Sequence, residues 1–153
     1  MREILFKAKR KDNNEWVYGY YHKETSTSIA LQEYGINEIE EHYIHTVIDH
    51  LSFKIEVLPE TICEYTGIKD KNGVEIYEND IISATEHLTN GYIGIGEVDL
   101  YYEVNYIDRL SKYALNPRII NGKYNSNNFE LDMFHYKAED IEVIGNIFDK
   151  GVE

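Results

Sequence analysis

Basic residues are scarce in this sequence. Its 153 residues hold 15 lysines and arginines against 28 aspartates and glutamates, a formal charge of −13. A surface of that sign repels a phosphate backbone and gains nothing from counterion release, so direct nucleic-acid binding is disfavoured. Cysteine is nearly absent: Cys63 stands alone in an apolar run, which excludes an internal disulfide and agrees with a reducing cytoplasm. No base or cation beside it would activate the thiol, so a buried, inert side chain is expected. No apolar run approaches the ~18 residues of a membrane span. The opening MREILFKAKRK is charged from the start and lacks the apolar core of a signal peptide. The expectation is a soluble protein in the cytoplasm of a bacterial cell.

Only two prolines and one tryptophan are present, but there are fourteen tyrosines. Tyrosine suits half-buried strands, because its ring packs while its hydroxyl reaches water. Ile4 and Phe6, then Trp16, Tyr18 and Tyr20, alternate with other residues on either side of Lys11-Asp12-Asn13-Asn14, which predicts an N-terminal hairpin. Lys7, Lys9, Arg10 and Lys11 form a basic patch there, expected to be a solvated hairpin edge. Ser26–Gln32 reads as a short strand. Residues 33–52 are ambiguous: Ile36, Ile39, Tyr43, Val47 and Leu51 fall at helical spacings, while Tyr43–Asp49 also alternates. A loop with a short helix leading into a strand is expected there. Phe53–Leu58 alternates cleanly.

The most informative stretch is Glu60–Ile82, ETICEYTGIKDKNGVEIYENDII. Two β-prone runs flank Lys-Asp-Lys-Asn-Gly, and Asn72-Gly73 predicts a type I′ hairpin turn with both residues at positive φ. Asp80-Ile81-Ile82 opens the next strand. Ile93–Tyr106 is a long strand whose Gly94 and Gly96 permit a bulge. Lys112–Ile120 gives a strand broken at Asn116-Pro117, Asn121-Gly122 a further hairpin turn, Phe129–Tyr136 a short helix or strand, and Ile141–Phe148 a closing strand. Many short strands with spaced turns predict a mainly β fold with little helix, a small SH3-like barrel or a sandwich carrying an N-terminal β-hairpin extension. Residues 1–57 form the hairpin region and a variable connector, and residues 58–149 the barrel-like module, in one compact unit.

The run PETICEYTGIKDKNGVEIYENDII, the opening MREILFKAKRKDNNEWVYGYY and the closing IEVIGNIFD resemble, in order, the YopX-like family of bacteriophage and prophage proteins. The resemblance implies a small, largely β, phage-encoded protein of unsettled biochemical role. It brings no catalytic residues. Its hallmark positions here are Tyr65, Gly67, Asp70, Asn72, Gly73, Ile76, Tyr77 and Asp80, to which turn and packing roles are assigned.

Candidate chemistry is sparse. His42, His45 and His50 lie near Glu40, Glu41 and Asp49; on a helix, His42 and His45 would share a face, and a carboxylate could complete a zinc site. The spacing is not the His-Glu-x-x-His of a metalloprotease. The glycines at 91, 94 and 96 have neither P-loop nor dinucleotide spacing. No cofactor is expected, and no catalytic set stands out. The sequence therefore points to an accessory protein acting by self-assembly or protein–protein binding, as a homo-oligomer or with a host or phage protein. Its alternatives are an acidic inhibitor of a host nucleic-acid-handling protein and a metal-dependent hydrolase.

Overall fold

The structure is a computed structural model, and it describes residues 4–27, 34–35, 38–89, 94–118, 131–133 and 135–150. The chain divides into two compact units, Met1–Glu64 and Tyr65–Glu153. Its strands are β1 (Phe6–Lys9), β2 (Trp16–Ser26), β3 (Ile39–Ile48), β4 (Leu51–Glu56), β5 (Cys63–Lys69), β6 (Glu75–Tyr77), β7 (Asp80–Thr89), β8 (Gly94–Ile107), β9 (Lys112–Arg118), β10 (Leu131–Asp132) and β11 (Ile141–Asn146). Helix is limited, among the described residues, to single 3-10 turns at Pro59–Thr61, Asp108–Leu110 and Ala138–Asp140. The fold is mainly β, as the tyrosine-rich, proline-poor sequence predicts. Its sheets are antiparallel and sandwich-like, and no barrel is closed among the described residues.

In the first unit β1 to β4 form an antiparallel sheet in sequence order. Strand alternation sends Ala8, Val17, Ile44 and Val57 to one face, where they make a buried cluster flanked by Phe6, Tyr21, Ile55 and Ile62. After β4 the chain turns back onto the end of β1. Arg10 bridges Val57, and the Leu58 and Lys11 amides donate to the carbonyls of Lys9 and Glu56. Thr61 locks this return: its hydroxyl accepts the Lys9 N–H at 2.8 Å and donates to the Leu58 carbonyl at 2.7 Å. Gly19 has no room for a side chain, since a Cβ there would overlap the carbonyl oxygen of His45.

The second unit holds a five-stranded antiparallel sheet, ordered β10-β9-β8-β7-β11. The β5–β6 hairpin contributes Ile68 and Ile76 to the core over this sheet, with Ile82, Ala84, Leu100, Tyr102, Val104, Leu115 and Ile141. The bulge expected at the glycines is present: Leu88 faces Gly96 and Thr89 faces Gly94, leaving one extra residue on β8. Pro117 does not break β9, which pairs with β8 through Arg118. Its missing N–H is tolerated because β10 covers only Ala114 and Leu115 on the other side, among the described residues. Of the Phe129–Tyr136 segment, residues 131–132 are strand. The Asn121-Gly122 turn, and residues 28–32 of the Ser26–Gln32 strand, lie outside the described residues.

Three expectations are corrected. The first concerns residues 33–52, where β3 and β4 form a hairpin and residues 39–48 are strand. The helical spacing of the apolar residues there was coincidental with a strand exposed at its end.

The second is the Asn72-Gly73 turn. Only Gly73 has positive φ, at 80°, and its N–H donates to the Asp70 carbonyl while the Asp70 N–H donates to Val74. This is a three-residue hairpin loop with a left-handed glycine, not a type I′ turn. The third is the basic patch. Lys7 and Lys9 are only 6% exposed, and their ammonium groups lie 4.8 and 5.1 Å from the Trp16 ring centre. A cation over an indole face keeps favourable electrostatics while its stem is buried, which a solvated edge would not require.

Candidate interaction site

Asp49 and His50 connect β3 to β4 with φ of 50° and 68°, and Ile48 pairs with Leu51 around them. Both central residues are left-handed, so the type I′ turn of this chain is here. Alternation along the hairpin puts Ile48, Leu51 and Phe53 on the face that carries the buried cluster, yet beyond its cover. Ile48 is 55%, Leu51 63% and Phe53 42% exposed, and Val47 on the opposite face 69%. Exposed apolar side chains are ordinary when scattered. Four within one hairpin end form a patch of the kind that marks an interaction surface.

β4 also ends its sheet. The Val57 N–H donates to the His42 carbonyl, which fixes the phase of the ladder: Leu51, Phe53 and Ile55 turn their backbone groups toward β3, and Ser52 and Lys54 turn theirs outward. The outward edge is first met again at Glu56, whose carbonyl takes the Lys11 N–H. A cavity of about 340 Å³ opens at that point, lined by Arg10, Lys11, Asp12, Lys54, Ile55 and Glu56. Its three cations against two acids invert the balance of the chain. They are held in place by pairs: Arg10 with Asp12 at 2.6 Å, Lys11 with Glu56, and Lys54 with Glu24. Hydrogen bonds to Asp12 and to Glu56 raise the pKa values of Arg10 and Lys11 above their usual ranges, so both stay charged.

The histidines do not gather into a metal centre. His42 and His45, three positions apart on a strand, face opposite sides of the sheet. The helix that would have put them together is absent. His42 Nδ1 lies 2.8 Å from the Tyr21 hydroxyl, His45 meets the His22 ring edge-on at 5.6 Å, and His50 sits in the turn. Among the described residues no group of three or more His, Cys, Asp or Glu is placed to hold a metal ion. Cys63 is buried, its Sγ donating to the Thr61 carbonyl at 3.3 Å.

The family hallmark residues lie in the second unit, in the β5–β6 hairpin and the turn after it. The Asp70 carboxylate accepts backbone N–H groups from Asn72, Val74 and Val143 at 2.8, 2.9 and 3.0 Å. It thereby ties the hairpin loop to β11. Burial alone would raise its pKa; the three N–H donors outweigh it and leave the carboxyl below the usual range. Gly67, at φ 88°, lies in the irregular stretch of β5, between Tyr65 paired with Tyr77 and Lys69 paired with Glu75. Ile76, Tyr77 and Asp80 are buried. Asp80 accepts the Tyr77 N–H at 2.8 Å and the Asn146 side-chain amide at 2.9 Å. No helix among the described residues is long and apolar enough to cross a membrane.

Open antiparallel sheets with a turn-locking carboxylate, and with no clustered metal or nucleophile groups among the described residues, define a β-scaffold protein. Residues 5–151 match the family model described as YopX protein, and the chain belongs to the YopX family. No curated protein matches it.

Reasoning from sequence missed Val47, Ile48, Leu51 and Phe53 as site residues. A signal was present: two alternating runs separated by the two polar residues Asp49-His50 make the pattern of a tight hairpin.

Proposed function

We propose that this protein is a phage- or prophage-encoded accessory protein that works by protein–protein contact, with itself or with a host or phage protein, rather than by catalysis. The observation that carries this reading is the apolar end of the β3–β4 hairpin, where Val47, Ile48, Leu51 and Phe53 stand in water beside an edge strand. An edge of this kind invites pairing unless it is blunted, and the one lysine on it, Lys54, is engaged by Glu24 and by the Tyr43 ring at 3.8 Å. Membership of the YopX family supports the phage context. The acidity of the chain supports solubility between encounters, not recognition of nucleic acid.

Sedimentation of the wild type and of Phe53→Ser tests it. The wild type is expected to sediment as a homo-oligomer, or to shift when its partner protein is added. Phe53→Ser is expected to lose that association while melting within about 0.5 kcal/mol of the wild type, as an exposed side chain should. Unchanged association in the variant, with folding intact, would assign the contact elsewhere.

A further inference from the structure

The edge of β4, its apolar row and the cavity at its end all have to be met by one occupant, and the sequence of β4 itself meets them. We propose that β4 of one copy pairs antiparallel with β4 of a second copy about a twofold axis at Phe53. In this arrangement the Asp49-His50 turn of each copy enters the other's cavity. The proposal rests on the reading of this hairpin as an interaction element and names its partner.

The register follows from charge and hydrogen bonding. With the axis at Phe53, the outward backbone groups of Ser52 meet those of Lys54 in the second copy, and each such pair exchanges both bonds. Phe53 then faces Phe53, and Leu51 faces Ile55, so the exposed apolar row of each copy covers the other's. Moving the axis to Lys54 would set two lysines directly opposite. At Ser52 it would set Ile55 against Asp49. At Ile55 it would need the Glu56 carbonyl, which already accepts from Lys11.

The same register carries His50 of the second copy opposite Glu56, and its Asp49 beside Arg10 and Lys11, the cations that line the cavity. Complementary charge at both ends of a self-paired strand favours a second copy over a foreign strand. In a chain with 28 acidic residues, this cavity is where cations outnumber acids and an acidic turn is welcome.

Cysteine pairing tests the register in the full-length protein, since Cys63 is buried and stays out of reach. Ser52→Cys mixed with Lys54→Cys under mild oxidation is expected to give a cross-linked dimer containing one of each. Either variant alone should give little, because neither position faces itself. Asp49→Lys, a turn change outside the strand pairing, is expected to weaken dimerisation roughly fivefold or more by placing like charge beside Arg10 and Lys11. A wild type that sediments as an oligomer but gives no mixed cross-link would overturn this pairing and leave the interaction reading standing. A monomeric wild type with no mixed cross-link would overturn self-pairing itself, and binding of a foreign acidic strand to that monomer would reassign the edge.

Discussion

The hairpin loop at Asp70–Val74 is closed from the side: a buried carboxylate holds the amides of Asn72 and Val74 and reaches across to Val143. The loop at Asp49-His50 has two side-chain-bearing residues in left-handed backbone, and its strands end in exposed apolar groups. Both are short hairpin connections on antiparallel strands. One spends its side chains on the protein's own backbone, and the other presents them outward. The difference separates a loop that fixes the fold from a loop that is available to a partner.

Removing the Asp70 charge should break the comparison most severely. Asp70→Asn keeps the shape but can no longer accept three N–H bonds equally, and a loss of roughly 1.5–3 kcal/mol is expected in chemical denaturation. The pH dependence has the matching sign. The folded-state pKa lies below the unfolded value, so the stabilisation is complete above about pH 4 and is lost as pH falls through the folded pKa. Wild-type stability should therefore decline in acid more steeply than that of Asp70→Asn. Parallel acid profiles would remove Asp70 from its anchoring role.

Gly73→Val comes next. No atom lies within 4 Å of a Cβ built at Gly73, so the cost is one of backbone alone, roughly 1–2 kcal/mol for a side chain at φ 80°. An unchanged melting temperature would contradict the left-handed assignment. The smallest effect sharpens the other side. His50→Gly relieves a left-handed residue in the exposed turn and should raise stability by up to about 1 kcal/mol. A fall in stability would mean that the His50 side chain makes contacts that hold the turn.

The same comparison explains what was readable from sequence. That a hairpin lies at 63–77 was legible, because two β-prone runs flank Asn-Gly. Its turn type was not, because the Asp70 carboxylate claims the amides of Asn72 and Val74 and keeps Asn72 out of the left-handed region. Long-range bonds of this sort, such as Asp70 to Val143, leave no periodic trace. The bulge in β8 was legible from its glycines. The β3–β4 hairpin was obscured because its apolar residues are partly exposed, so its pattern is not the clean in–out alternation of a strand over a core. Lys7 and Lys9 were misread as solvated because a lysine under an indole looks the same in sequence as a lysine in water.

The most direct measurement is amide hydrogen exchange across the two hairpins at low and high protein concentration. The outward N–H groups of Ser52 and Lys54 should gain protection as concentration rises, while those of Asn72 and Val74, bonded to Asp70 within one chain, should not change. Exchange at Ser52 and Lys54 that is independent of concentration would contradict the assignment of β4 as a surface where two copies meet.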